Sequence, residues 1–216
     1  MGMVQMKKIL SFAAIVISVP AFAGDFKTES AGAPPSEGVA AAILEMVAED
    51  GVAVKDPDGE TTMELWMRST PWGEPGSTSF GVRFDTIPEG AFMGLVRFPE
   101  NGSDYREQFV PAGVYTMRFT LHPENGDHMG VAASRDFAIL SPAANDTEPA
   151  TVMTDFDALV DMSYEIGNPH ATVKRIELPE GDEAPHLWVN DYEHWVLDLK
   201  VAEEVVGVVV YGHSEE

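Results

Sequence analysis

Between Gly113 and His122 the side chains alternate: Tyr115, Met117, Phe119 and Leu121 fall on one face, Thr116, Arg118 and Thr120 on the other. Strict period-2 alternation suits a strand, and polar residues along one face predict a half-buried antiparallel one. Pro111-Ala112-Gly113 forms the turn that enters it, since proline presets φ near about −65° and glycine accepts a positive φ. His122-Pro123 ends it, Asn125-Gly126 turns the chain, and a second strand is expected from about Arg135 to Leu140. The connecting loop gathers His122, Glu124, Asp127 and His128.

Short strand-like runs recur along the rest of the chain. Val52 to Lys55 and Thr61 to Arg68 flank Asp56-Pro57-Asp58-Gly59, a favoured hairpin connection. That turn has no calcium-loop reading, because Val54 breaks the EF-hand pattern. Thr78 to Phe84 alternates, and Ala91 to Phe98 is apolar on both faces apart from Arg97, as a central strand would be. Ala171 to Leu178, His186 to Asn190, His194 to Val201 and Val205 to Tyr211 complete the set. Two short helices are expected. One runs from Ser36 to Asp50, with Val39, Ile43, Met46 and Val47 on one face; the other opens at the capping signal Thr154-Asp155-Phe156-Asp157 and reaches about Tyr164. Closely spaced strands with few helices predict a mainly β fold, an antiparallel β-sandwich or jelly roll, as a single domain over residues 36–216. Residues 24–35 read as an extended or mobile lead-in.

Residues 1–23 carry Lys7-Lys8, the apolar run Ile9 to Val19 and Ala21-Phe22-Ala23, which are the basic region, hydrophobic core and small-residue cleavage site of a secretory signal peptide. The run is shorter than the roughly 20 apolar residues of a membrane span. No cysteine follows it to take a lipid, so the expectation is a periplasmic or extracellular protein with no membrane anchor after cleavage. Cleavage at Ala23 leaves 11 basic against 36 acidic residues, a net charge of −25. So acidic a surface disfavours nucleic acid and anionic membranes as partners. The absence of cysteine removes disulfides, thiol nucleophiles and thiolate metal sites together.

The remaining chemistry has two candidate settings. His122, Asp127 and His128 offer two imidazoles and a carboxylate to a divalent metal, zinc or copper. In the structural alternative Asp127 caps the turn and His128 packs beside it. Arg106, Arg118 and Arg135 stand near Asp104 and Asp136 among few cations, either as organising ion pairs or as recognition of an anion. Trp72, in a Pro/Gly-rich loop, is the one tryptophan expected at the surface, where it can stack on a ligand, whereas Trp66 and Trp195 lie in alternating strands and read as core. Ligand-binding candidates are therefore Trp72, Arg106 and Arg135. No Gly-x-Ser-x-Gly elbow or glycine-rich phosphate loop is present.

The motif order Asp104-Tyr105-Arg106, Pro111-Ala112-Gly113-Val114-Tyr115-Thr116, Gly126-Asp127-His128 with Gly130, and Arg135-Asp136-Phe137 resembles that of a group of uncharacterised secreted bacterial proteins, with a likeness from about Glu64 to the C-terminus. The resemblance implies an exported β-sandwich and carries no activity with it. Two functions are expected from these readings: a non-enzymatic binding or interaction module for a small molecule, glycan or protein, or a metal-dependent protein or enzyme built on the Asp127-His128 loop.

Overall fold

A computed structural model describes residues 25–122 and 134–214. The chain is mainly antiparallel β. Strands β1 (Lys27–Gly32), β2 (Gly51–Lys55), β3 (Thr61–Met67) and β4 (Phe92–Phe98) are followed by a small ribbon, β5 (Gly102–Ser103) with β6 (Phe109–Val110). Then come β7 (Gly113–Leu121), β8 (Asp136–Pro142), β9 (Val173–Glu177), β10 (His186–Val189), β11 (Trp195–Val201) and β12 (Glu204–Tyr211). All but the ribbon join one ten-stranded sheet in the order β1-β2-β3-β4-β7-β8-β9-β12-β11-β10.

The sheet bends at β9. Val173, Lys174 and Arg175 pair with β8, while Ile176 and Glu177 pair with β12, so one five-residue strand serves both halves. The halves close over a single interior in which Leu65, Met117 and Phe119 from one side pack with Leu197, Leu199 and Val208 from the other. Phe26 fills the open end against Trp195 and Tyr211, and the amide of Ala202 in the β11–β12 turn donates to the Arg68 carbonyl at 2.6 Å.

The alternation in β7 places Tyr115, Met117, Phe119 and Leu121 inside, as expected. Its opposite face departs from the half-buried expectation, because Thr116, Arg118 and Thr120 are buried too. The connection after β8 covers them. Arg118 holds Asp146 through Nε and Nη2 at 2.8 Å each, and donates also to the carbonyls of Gly90, Thr151 and Glu148. Polar residues in the strand thus mark a second buried layer, not a wet face.

The first helix is α1 (Ala41–Leu44), far shorter than Ser36 to Asp50. After Leu44 the backbone turns to pairing: Val47 bridges Arg68, and the Ala48 and Ser69 amides donate to the carbonyls of Met67 and Met46. Ile43 and Val47 nevertheless form one apolar group over the outer face of β3 and β4, packed with Trp66, Phe92 and Leu95. Trp66 therefore fills a second, smaller core, and its indole lies across Gly51, where a Cβ would stand 2.5 Å from Nε1. Gly51 is the space for that ring and the start of β2. Residues 27–32 of the lead-in are an edge strand, and the Trp66 indole donates to the Gly32 carbonyl at 2.7 Å.

The second helix, α2 (Phe156–Tyr164), forms where the capping signal puts it. Asp155 is the cap, accepting from the Asp157 and Ala158 amides, and Leu159 packs on Phe137, Ile139 and Val173. Thr78 to Phe84 is not a strand. The amides of Arg83 and Phe84 donate to Asp136 Oδ1, and turn bonds at Ser79 and Phe84 curl the chain, leaving Phe84 buried and Phe80 85% exposed.

Candidate functional site

Asp104 organises one end of the molecule. Its buried carboxylate accepts from the amides of Arg106, Gln108 and Val173 and from the Gln108 side chain, at 2.8 to 3.1 Å. The turn so made is pinned to β9, with the Tyr105 amide donating to the Val173 carbonyl and the Ser214 amide to the Tyr105 carbonyl. Tyr105 consequently lies over Arg175.

Arg175 is the centre of a half-buried cluster drawn from four segments. Its Cζ lies 5.5 Å from the Tyr105 ring centre and 5.4 Å from that of Tyr192, so an aromatic ring stands on each contact. Nη1 donates to the Tyr105 hydroxyl at 2.9 Å, and Nε meets Glu177 Oε1 at 2.5 Å. Glu177 Oε2 also meets Arg83 at 3.3 Å, so two guanidinium groups share one carboxylate. His194 packs edge-on to Tyr105 at 5.6 Å and stacks with Tyr192 at 5.9 Å. Gly212 makes that placement possible: its φ is +124°, and a Cβ would stand 2.3 Å from the imidazole. The turn carrying Tyr192 is held by Asn190 Oδ1, which accepts from the amides of Tyr192 and His194.

Burial, and then the nearby Arg175 charge, pushes the His194 pKa below its ordinary value, which keeps the imidazole neutral. Two nitrogens in the cluster, Arg175 Nη2 and His194 Nδ1, are buried and meet no side-chain partner, while the His213 backbone bonds the His194 imidazole. Tyr192 is 59% exposed and borders both on the solvent side. A group with acceptor oxygens can satisfy the two nitrogens together, beside the two guanidinium groups that share the Glu177 carboxylate, with Asp191 and Glu193 on the flanking turn.

Comparisons with protein-family models, with curated proteins and with solved structures find no match.

The candidates named from sequence occupy separate settings. Trp72 is half-buried against the main core beneath Arg68, whose Cζ lies 4.9 Å from its ring. Arg106 contributes its backbone to the Asp104 turn. Arg135 Nε donates to the His122 carbonyl at 2.8 Å and Nη1 bonds the Phe80 carbonyl, tying the 77–84 loop to the end of β7. His122 lies on the Phe137 ring with centres 4.3 Å apart. Asp127 and His128 lie outside the described residues, and no group of three or more metal-ligating side chains stands together among the described residues. Tyr105 was visible in the sequence as a motif residue, and His194 as the start of a strand-like run. Arg175, Glu177 and Tyr192 were passed over. A usable signal was the scarcity of cations, 13 Lys and Arg in 216 residues, which singles out Lys174 and Arg175, two of them adjacent within one predicted strand.

A second feature lies at the sheet's end. Glu180, Gly181, Asp182, Glu183 and His186 line a surface cavity of about 170 Å³. His186 Nε2 meets Glu180 Oε2 at 2.8 Å, and the Glu180 amide donates to Asp198 Oδ2. Asp198 is fully buried, accepts also from the Trp188 indole at 2.9 Å, and has its carboxyl pushed up by burial.

Proposed function

We propose that the protein is an exported, non-enzymatic binding module that holds a carboxylate-bearing ligand at the Tyr105–Arg175–Tyr192–His194 cluster. The observation that carries this reading is the pair of buried nitrogens that no side chain meets, Arg175 Nη2 and His194 Nδ1, in one aromatic-walled cluster. Leaving buried polar groups unmet costs about 1–3 kcal/mol each, so a ligand that meets both gains from the start. Export rests on the leader signature and is checked by mass analysis of the native protein, which should begin at Gly24.

Binding is tested by titrating the protein with acetate and with glucuronate, using glucose as the uncharged control, and following the His194 and Tyr192 resonances. Both anions should shift these signals and glucose should not. Binding should tighten as pH falls through the His194 titration, because the protonated ring donates to the carboxylate. Arg175→Gln should remove binding, and Tyr192→Ala, an exposed change, should weaken it. Anion binding undiminished in both variants, or none in the wild type, refutes the reading. The metal alternative is checked in parallel: a zinc- or copper-dependent rise in Tm that His122→Ala abolishes would move the site to the His122 loop.

A further inference from the structure

The two edges of the ten-stranded sheet are built differently. β1 carries Lys27 and Glu29, and its register slips at Ser30/Gly32, features that keep a sheet edge from pairing with foreign strands. β10 reads His-Leu-Trp-Val, has no Lys, Arg, Asp or Glu, and pairs in unbroken register with β11. Among the described residues no strand lies on its other side. Val189 is 48% exposed. The strand is also held in place: Trp188 by Asp198, His186 by Glu180, and the following turn by Asn190, so little ordering remains for a partner to impose.

Charge around this edge has one sign. Between Pro179 and His194 stand Glu180, Asp182, Glu183, Asp191 and Glu193, with no Lys or Arg. Three of these acids precede β10, where they help line the 170 Å³ cavity, and two follow it. A second copy pairing antiparallel through β10 would bring each acidic loop against the other's Asp191–Glu193 turn, so self-association is opposed.

We infer that the free edge of β10 docks an extended, basic segment of a partner protein, which adds to the sheet as a further strand and seats a lysine or arginine in the acidic cavity. Backbone hydrogen bonds along the edge supply the pairing, and the acids at both ends select the sequence. Four residues span only about 13 Å, so the flanking charges are needed for affinity as well as choice.

The probe is a short synthetic peptide with lysine pairs at both ends of a Val-Thr-Val-Thr centre. Titrated into the protein at low salt, it should protect the His186–Val189 amides from exchange and shift their resonances. A glutamate-ended version should not bind. A version N-methylated at alternate residues should lose the amide protection, because it cannot complete the ladder. The exposed double change D182K/E183K should weaken binding roughly tenfold. D182K/E183K should leave acetate binding at the Arg175 cluster unchanged, so this surface and the carboxylate cluster fail or stand independently. The inference is overturned if the lysine peptide does not bind, if the N-methylated peptide binds equally well, which would mean attraction to the acidic surface at large, or if sedimentation shows the edge already occupied by a second copy.

Discussion

Arg118 shows how a charge can be made part of a core. At 1% exposure its guanidinium would be prohibitive alone, yet Asp146 and three carbonyls account for its donors, and the contacts tie residues 146–151 across β7. The arginine was noted in the sequence for its proximity to Asp104 and Asp136; its partner lies 28 positions away in a connector that has no periodic pattern. Asp146→Ala should therefore destabilise the protein by about 3–5 kcal/mol in denaturant melts, because an uncompensated buried cation is left behind. Replacing both partners by apolar residues of similar size should cost less than that single change, since no charge is then stranded.

Among the elements, β7 is the one whose pattern speaks most directly. Phe119, fully buried on the inner face, should cost about 3–5 kcal/mol on replacement by alanine, and a change below about 1 kcal/mol would mean the interior is not closed at that point. α1 teaches the opposite lesson. Its apolar spacing is genuine, and Ile43 and Val47 do share a cluster, but pairing of residues 46–48 with the end of β3 takes the backbone amides a longer helix would have used. A four-residue helix followed by a bridge presents nearly the same apolar stripe as a helix of four turns, which is why periodicity alone could not separate them. The 78–84 run failed for a related reason. Phe80, Val82 and Phe84 alternate, yet no neighbouring strand accepts their backbone, and Asp136 takes the amides instead.

For the molecule as a whole, pH is a direct probe of what the bend at β9 buries. Burial, opposed by Asp104, pushes the Lys174 ammonium down to about 8, from 10.5. Between those values the unfolded chain holds the proton and the folded one does not, so stability should rise with pH from about 8, by on the order of 2–3 kcal/mol. Tyr115, raised by burial, acts oppositely above its ordinary value of 10.0, because the unfolded phenol ionises first, and it ends the rise. At the acid side His194, lowered by burial, gives stability that is lost as pH falls below 6.5. Melts of wild type and Lys174→Met across pH 7 to 10 should show the alkaline rise only in the wild type. Most strands, the Asp56–Gly59 turn and the Asp155 cap were readable from the chain, because each depends on side-chain direction or backbone φ within a few residues; β1, read as a lead-in, and the 78–84 run, read as a strand, were not. The antiparallel β class followed from their spacing. Which faces are wet, where α1 stops, and which residues meet Arg175 were set by the fold-over of one sheet, since Tyr105, Arg175, Tyr192 and Gly212 converge only when β9 is shared between its two halves. Contacts between residues 70 positions apart leave no periodic trace in a sequence, and burial of both faces of a strand is decided by what else the chain lays over it.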